Sequence, residues 1–204
     1  MRRSAIILAA ASLCTACVGQ AFRSDAEAPD RYRLEGPAAV PGGTAIPLAV
    51  AVSRPRAPSS LDTDRIVVTT PGHGFDYLAG ARWTDPAPQL LQRLLVGALA
   101  DEAHFATAVT APSRVPADLL LDVELVRFEA AYADVDAPPM VTVELAVNLV
   151  DARRGVRLTS FRSAASATAA RNDRAAVVAA FERATGQVVS DTATRVAAAA
   201  TAKH

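Results

Sequence analysis

The two thiols of the chain, Cys14 and Cys17, are its strongest side-chain nucleophiles, and both lie near the N-terminus. A thiol can be acylated, oxidised to a disulfide or set into a metal site, and its neighbours decide which. Met1-Arg2-Arg3-Ser4 is a short basic start, Ala5 to Leu13 is apolar, and the small residues Thr15 and Ala16 lead directly into Cys17. Charge, then an apolar core, then small residues is the order of an exported precursor. This stretch of nine residues falls far short of the ~20 that cross a bilayer as a helix. An acylated Cys17, an ordinary secretory signal cut near Ala16 and a buried cysteine pair are the readings this pattern allows. No other cysteine exists, so nothing resembles a cysteine metal site.

The remaining groups with chemical potential are scattered. His73 sits in the turn Pro71-Gly72-His73-Gly74. A phosphate loop would need a longer glycine pattern and a following helix, and a return strand follows here. His104 comes just after a predicted helix, where the dipole favours a cation, and reads as a cap; His204 is terminal. Asp62 with Asp64, and Asp134 with Asp136, read as exposed turn residues. Asp122, Glu124 and Glu144 could share one sheet face, but two carboxylates alone do not make a glycosidase. No serine sits in a Gly-x-Ser-x-Gly elbow. No catalytic constellation, metal set or cofactor motif emerges, and the chain reads as a non-enzyme. Trp83, the sole tryptophan, precedes Thr84-Asp85-Pro86 and is either a packing anchor beneath a helix or a contact at a partner interface, where Trp is enriched.

The elements that would hold these groups follow from periodicity. Tyr32 to Leu34, Ile46 to Val52 and Asp64 to Thr70 read as strands. Phe75 to Leu78 returns beside the third after the Pro71-Gly72 turn. Asp85 suits a helix N-cap and Pro86 the first helical position. Leu90, Leu94 and Ala98, with Leu91, Leu95 and Leu99, share one face of a helix ending near Ala103; Gln89, Gln92, Arg93 and Asp101 take the other. Phe105 to Val109 is a short strand. Leu119 to Val126 and Val141 to Leu149 alternate with period two, and Val156 to Ser163 returns, giving an antiparallel meander. Asn172 or Asp173 caps a long helix reaching about Ala199, with Val177, Val178, Phe181, Ala184, Val188, Val189, Thr192 and Val196 on one face. The expected fold is α+β, an antiparallel or mixed sheet with two main helices packed on one face.

Cleavage before Cys17 removes 16 of 204 residues and leaves 188, enough for one domain with a real core. The expected division is 1–16 signal peptide, 17–29 tether of flexible composition, and 30–204 a single domain. Loss of Arg2 and Arg3 takes the formal charge from 0 to −2, which argues against nucleic acid and against a polybasic membrane patch.

Thr15-Ala16-Cys17 resembles the lipobox of bacterial lipoproteins. That resemblance implies a Cys17 carrying acyl chains such as palmitate, three in all, and a protein tethered to a membrane rather than spanning it. One chain binds only marginally, while two or more anchor stably. Asp after the cysteine would imply retention at the inner membrane; Val18 implies the outer membrane, facing the periplasm. Downstream, three segments resemble the ABC-type transport auxiliary lipoproteins, the PqiC- and YmbA-like family. They are Asp62-Thr63-Asp64-Arg65-Ile66-Val67-Val68, Phe75 to Pro86 with its Tyr-x-x-x-x-Arg-Trp-x-Asp-Pro pattern, and Leu90 to Leu95. The resemblance implies an α+β domain, service beside a mammalian-cell-entry (MCE) type ABC system that moves lipids, with an MCE-domain protein, a permease and an ATPase as partners, and a possible homo-oligomer. It carries no active site. An alternative from another class is a lipid carrier or sensor, whose pocket would lie between the sheet and the helices. Radiolabelled palmitate should enter the full-length protein in cells but not its Cys17→Ser variant; label retained by that variant would place the anchor elsewhere.

Overall fold

The structure, a computed structural model, describes residues 28–36, 44–72 and 74–202. The signal segment, Cys17, most of the 17–29 tether, the expected loop from Pro37 to Gly43, His73 and His204 lie outside the described residues. The chain order is β1 Asp30–Tyr32, β2 Ile46–Val52, β3 Arg65–Thr70, β4 Gly74–Trp83, α1 Ala87–Asp101, β5 Phe105–Thr110, β6 Leu119–Ala131, β7 Met140–Asp151, β8 Val156–Thr168 and α2 Arg174–Thr201. β1 begins and ends two residues before its predicted span.

The meander is present: β6 pairs antiparallel with β7, and β7 with β8. β3 and β4 form the expected antiparallel hairpin. The rest of the sheet is parallel, with β1 on β4, β2 on β5 and on β6, and β3 on β6. The sheet is therefore mixed, which corrects the mainly antiparallel expectation. Alternation reports which face a residue takes, not which way its neighbour runs. Direction is set by connections, and parallel neighbours need long crossovers, which here include α1.

β6 organises this arrangement. One edge binds β7 along its whole length, while the other is shared end to end. β2 lies against Leu119–Leu121, Arg56 bridges to Glu124, and β3 reaches Ala130 and Ala131. In β4, between two matched pairs, the strand advances five residues while β3 advances two. This bulge contains Gly80 at φ 68°, where an added Cβ would stand 2.8 Å from Arg174 Nη1.

Both helices begin at proline or aspartate signals. Pro86 occupies the N-cap position of α1, which has no side-chain cap, so the helix starts one residue later than predicted and Asp85 is released to pair with Arg93. α1 ends at Asp101, with Glu102 as C-cap. Asp173 does cap α2, accepting the Ala176 N–H at 2.8 Å. α2 runs for 28 residues, roughly 42 Å at 1.5 Å per residue. Its predicted apolar face, from Val177 to Val196, is buried as expected. On α1 the buried stripe is wider than predicted. Gln92 is buried, and its Nε2 donates to the Val52 carbonyl at 2.9 Å.

α2 packs on β7 and β8, α1 packs on β5 and β2, and the helices meet each other. The space between sheet and helices, where the alternative reading put a lipid pocket, is filled by side chains including Trp83, Phe128, Leu125, Leu145 and Phe181. Trp83 meets Phe181 edge-on at 5.2 Å between ring centroids and Phe128 at 5.7 Å, with Phe128 and Phe181 4.8 Å apart. Phe181→Ala should cost ~3–5 kcal/mol by denaturant unfolding. Phe75→Ala, at an exposed position, should stay within about 0.5 kcal/mol. Equal losses would show that the aromatic cluster is not where the stability resides.

Candidate functional site

The strand-to-helix junction from Arg82 to Pro86 is where the most distinctive motif of the sequence falls, and its two charged side chains, Arg82 and Asp85, are both paired. Arg82 Nη1 donates to Asp64 Oδ1 at 2.9 Å across the hairpin. The Arg65 guanidinium stacks over the Tyr77 ring, 3.8 Å from its centroid. Backbone donors finish the joint: Trp83 N–H to the Asp64 carbonyl, Thr84 N–H to the Tyr32 carbonyl and Ala87 N–H to the Thr63 carbonyl. Four segments of the chain are thereby tied at one corner.

Trp83 is 0% exposed, and its indole N–H finds no acceptor among the described residues. The ring is a packing anchor, the first of the two readings the sequence allowed, and burial corrects the alternative of a partner contact at Trp83. A side chain sealed beneath α2 and β6 offers no surface.

Asp85 and Arg93 meet at 2.8 Å. The hydrogen bond from Arg93 holds the Asp85 carboxyl below its ordinary range. A surface cleft of about 400 Å³ beside this pair is lined by Arg33, Leu34, Thr84, Leu90 and Leu94 as well. Its two arginines and one carboxylate could receive a small anion or a peptide side chain.

Several of the other carboxylates singled out in the sequence are also bonded. Asp62 accepts from Arg54 at 3.1 Å, and that bond lowers its pKa. Asp122, Glu124 and Glu144 do share the sheet face opposite the helices, where Asp122 accepts from Arg56 and Glu144 from Arg162. Asp134 Oδ1 accepts the Asp136 N–H within its own loop. His104 lies beyond the C-cap of α1 at φ 54°, its carbonyl accepting the Ile46 N–H. The cap is Glu102, which corrects the role expected of His104. No group of three or more metal-ligating side chains forms among the described residues. No helix among them is long and apolar enough to cross a membrane.

Sequence reasoning missed a second clasp. Arg174 Nη1 donates to Asp30 Oδ2 and to the Gly80 carbonyl, each at 3.0 Å. The signal was Gly80 itself, a glycine inside a strand, which marks a bulge or close approach.

Residues 32–193 match the family model described as ABC-type transport auxiliary lipoprotein component. A solved protein from Xanthomonas campestris, assigned to the family DUF330, superposes with a TM-score of 0.78 at 24% identity, over 85% of this chain and 98% of its own. A second solved protein, described as uncharacterised, gives 0.62 at 17% identity, over 83% of this chain and 99% of its own. These likenesses show the fold. No curated protein matches.

Asp85 is held more acidic folded than unfolded, so it adds stability above the ordinary aspartate pKa of about 3.9 and loses it as pH falls through the lower folded value. Asp85→Asn should therefore unfold at lower denaturant than the parent at pH 7, with the gap closing below about pH 4. A gap unchanged in acid would mean that the Asp85 charge is not its source.

Proposed function

Because the chain belongs to the ABC-type transport auxiliary lipoprotein component family, we propose that it serves as the outer-membrane-anchored partner of an MCE-type ABC transporter moving lipids between the two membranes. The family is described as an auxiliary component of transport; the finer reading rests on Cys17. A small-residue lead into that cysteine, directly upstream of the family domain, supports cleavage after residue 16, acylation of Cys17 and a tether over 17–29. Val18 in place of Asp favours the outer membrane.

In this reading the protein works by position. Acyl chains fix one point of the domain to the membrane, each buried CH₂ contributing ~0.8 kcal/mol. The domain then offers a rigid surface to an MCE-domain protein, which connects to the permease and ATPase. A filled interior favours this scaffold role over a carrier with its own lipid cavity.

Full-length protein recovered from crosslinked, mildly solubilised envelopes should bring down an MCE-domain protein with its permease and ATPase, identified by mass spectrometry. Recovery of only outer-membrane assembly or secretion components would overturn the proposed partnership.

A further inference from the structure

Five large apolar side chains are exposed among the described residues: Phe75, Val115, Val135, Met140 and Val156. Single exposed apolar residues are ordinary, but three of these gather at one end of the sheet. Phe75 pairs with Thr69, Thr69 with Ala131, and Ala131 with Met140, so Phe75 and Met140 belong to one row across β4, β3, β6 and β7. Residues paired this way point to the same face. Val135 lies just beyond, in the connection between β6 and β7. The exposures are 59% for Phe75, 67% for Val135 and 49% for Met140.

The N-terminal chain is held near the same end. Asn172 Nδ2 donates to the Val135 carbonyl at 2.9 Å. Two residues later Arg174 grips Asp30. Asp30 opens β1, which runs parallel to β4 and hence away from Phe75. The N-terminal end of β1 is therefore its end nearer the apolar row. Thirteen residues, from 17 to 30, span at most ~45 Å fully extended.

We infer that the end bearing Phe75, Val135 and Met140 rests on the lipid surface in which Cys17 is anchored, a step that rests on the acylation of Cys17 proposed above. A fixed Cys17 keeps this end within the reach of the connecting chain, and apolar side chains there enter the headgroup boundary. The flanking charges set the lipid class. Asp76 follows Phe75 in β4, Asp134 and Asp136 flank Val135 in the connection between β6 and β7, and Arg171 is bonded to Asp173 at 2.8 Å. With carboxylates around the patch, the contact is apolar and suits a zwitterionic surface rather than an anionic one.

The test uses the full-length mature lipoprotein carrying Val135→Cys or Val156→Cys. These are exposed valines at opposite ends of the sheet. Acylation occupies the Cys17 thiol, so each variant takes one environment-sensitive fluorophore. The protein is reconstituted into phosphatidylethanolamine-rich vesicles with a quencher on the lipid acyl chains, and intact-mass measurement reports the acyl groups. The label at 135 should lose most of its emission and the label at 156 little. Adding Phe75→Ser and Met140→Ser should restore emission at 135 while the acyl mass stays. Equal quenching at both ends, or none at either with the acyl mass present, overturns the inference. Quenching that follows protein density instead of lipid quencher assigns the patch to a second copy and also overturns it. Absence of the acyl mass removes the anchor reading, and this inference with it.

Discussion

Three rings contributed by β4, β6 and α2 meet where Trp83, Phe128 and Phe181 pack within 6 Å of one another. Their positions in the chain explain why so much depends on them. Trp83 closes β4 and sets the start of α1; Phe128 lies in the strand that binds three others; Phe181 lies near the start of the long helix. Each ring buries on the order of 150–250 Å², so the contact fixes α2 on the sheet and the hairpin on β6 together. The unsatisfied Trp83 N–H works against this by ~1–3 kcal/mol. Burial of the three rings outweighs that cost, which is consistent with packing as the reason for a tryptophan at this place.

The joint around Trp83 is polar at its rim. Arg82 with Asp64, Arg93 with Asp85 and Arg65 over Tyr77 all lie within a few residues of the ring. Exposed ion pairs contribute little individually, about 0–1 kcal/mol. Their role here is geometric, since each joins residues from different elements and the backbone bonds to Asp64, Tyr32 and Thr63 fix the same corner. The motif linking Tyr77, Arg82, Trp83, Asp85 and Pro86 is thus a structural joint, in keeping with the packing-anchor reading of Trp83.

What could be read from the sequence follows from how local each signal is. The apolar face of α2, its Asp173 cap and the first halves of β6 and β7 repeat a short period, so neighbours in sequence were sufficient. Phe128 was not legible. β6 shifts register between Leu125 and Arg127, which moves the inward positions from Leu119, Leu121, Val123 and Leu125 to Phe128 and Ala130. Past the bulge the alternation changes phase, and a period-two reading stops there. β8 runs beyond Ser163 through Ala164-Ala165-Ser166-Ala167-Thr168, small residues with no hydrophobic rhythm of their own, held by the register of β7. Parallel pairing left no trace because it depends on long connections. Cys17 was legible as a motif, while the convergence of Phe75, Val135 and Met140 needed the register of four strands.

The two ends of the sheet differ in chemistry as well as position. β7 spans 12 residues, or roughly 40 Å at 3.3 Å each. At one end stand the apolar row and the carboxylates of Asp76, Asp134 and Asp136. At the other the turn after β7 carries Arg153 and Arg154, followed by Arg157, with Asp118 and Asp151 pairing the first two. A separation of ~40 Å is several times the Debye length of about 8 Å at physiological salt, so neither end's charges bias what the other end meets. The Arg174 clasp holds Asp30, where the described N-terminal strand begins, against the β4 bulge at Gly80. The two ends can therefore meet surfaces of different chemistry at once, because the same strands that separate them also hold them rigidly in line.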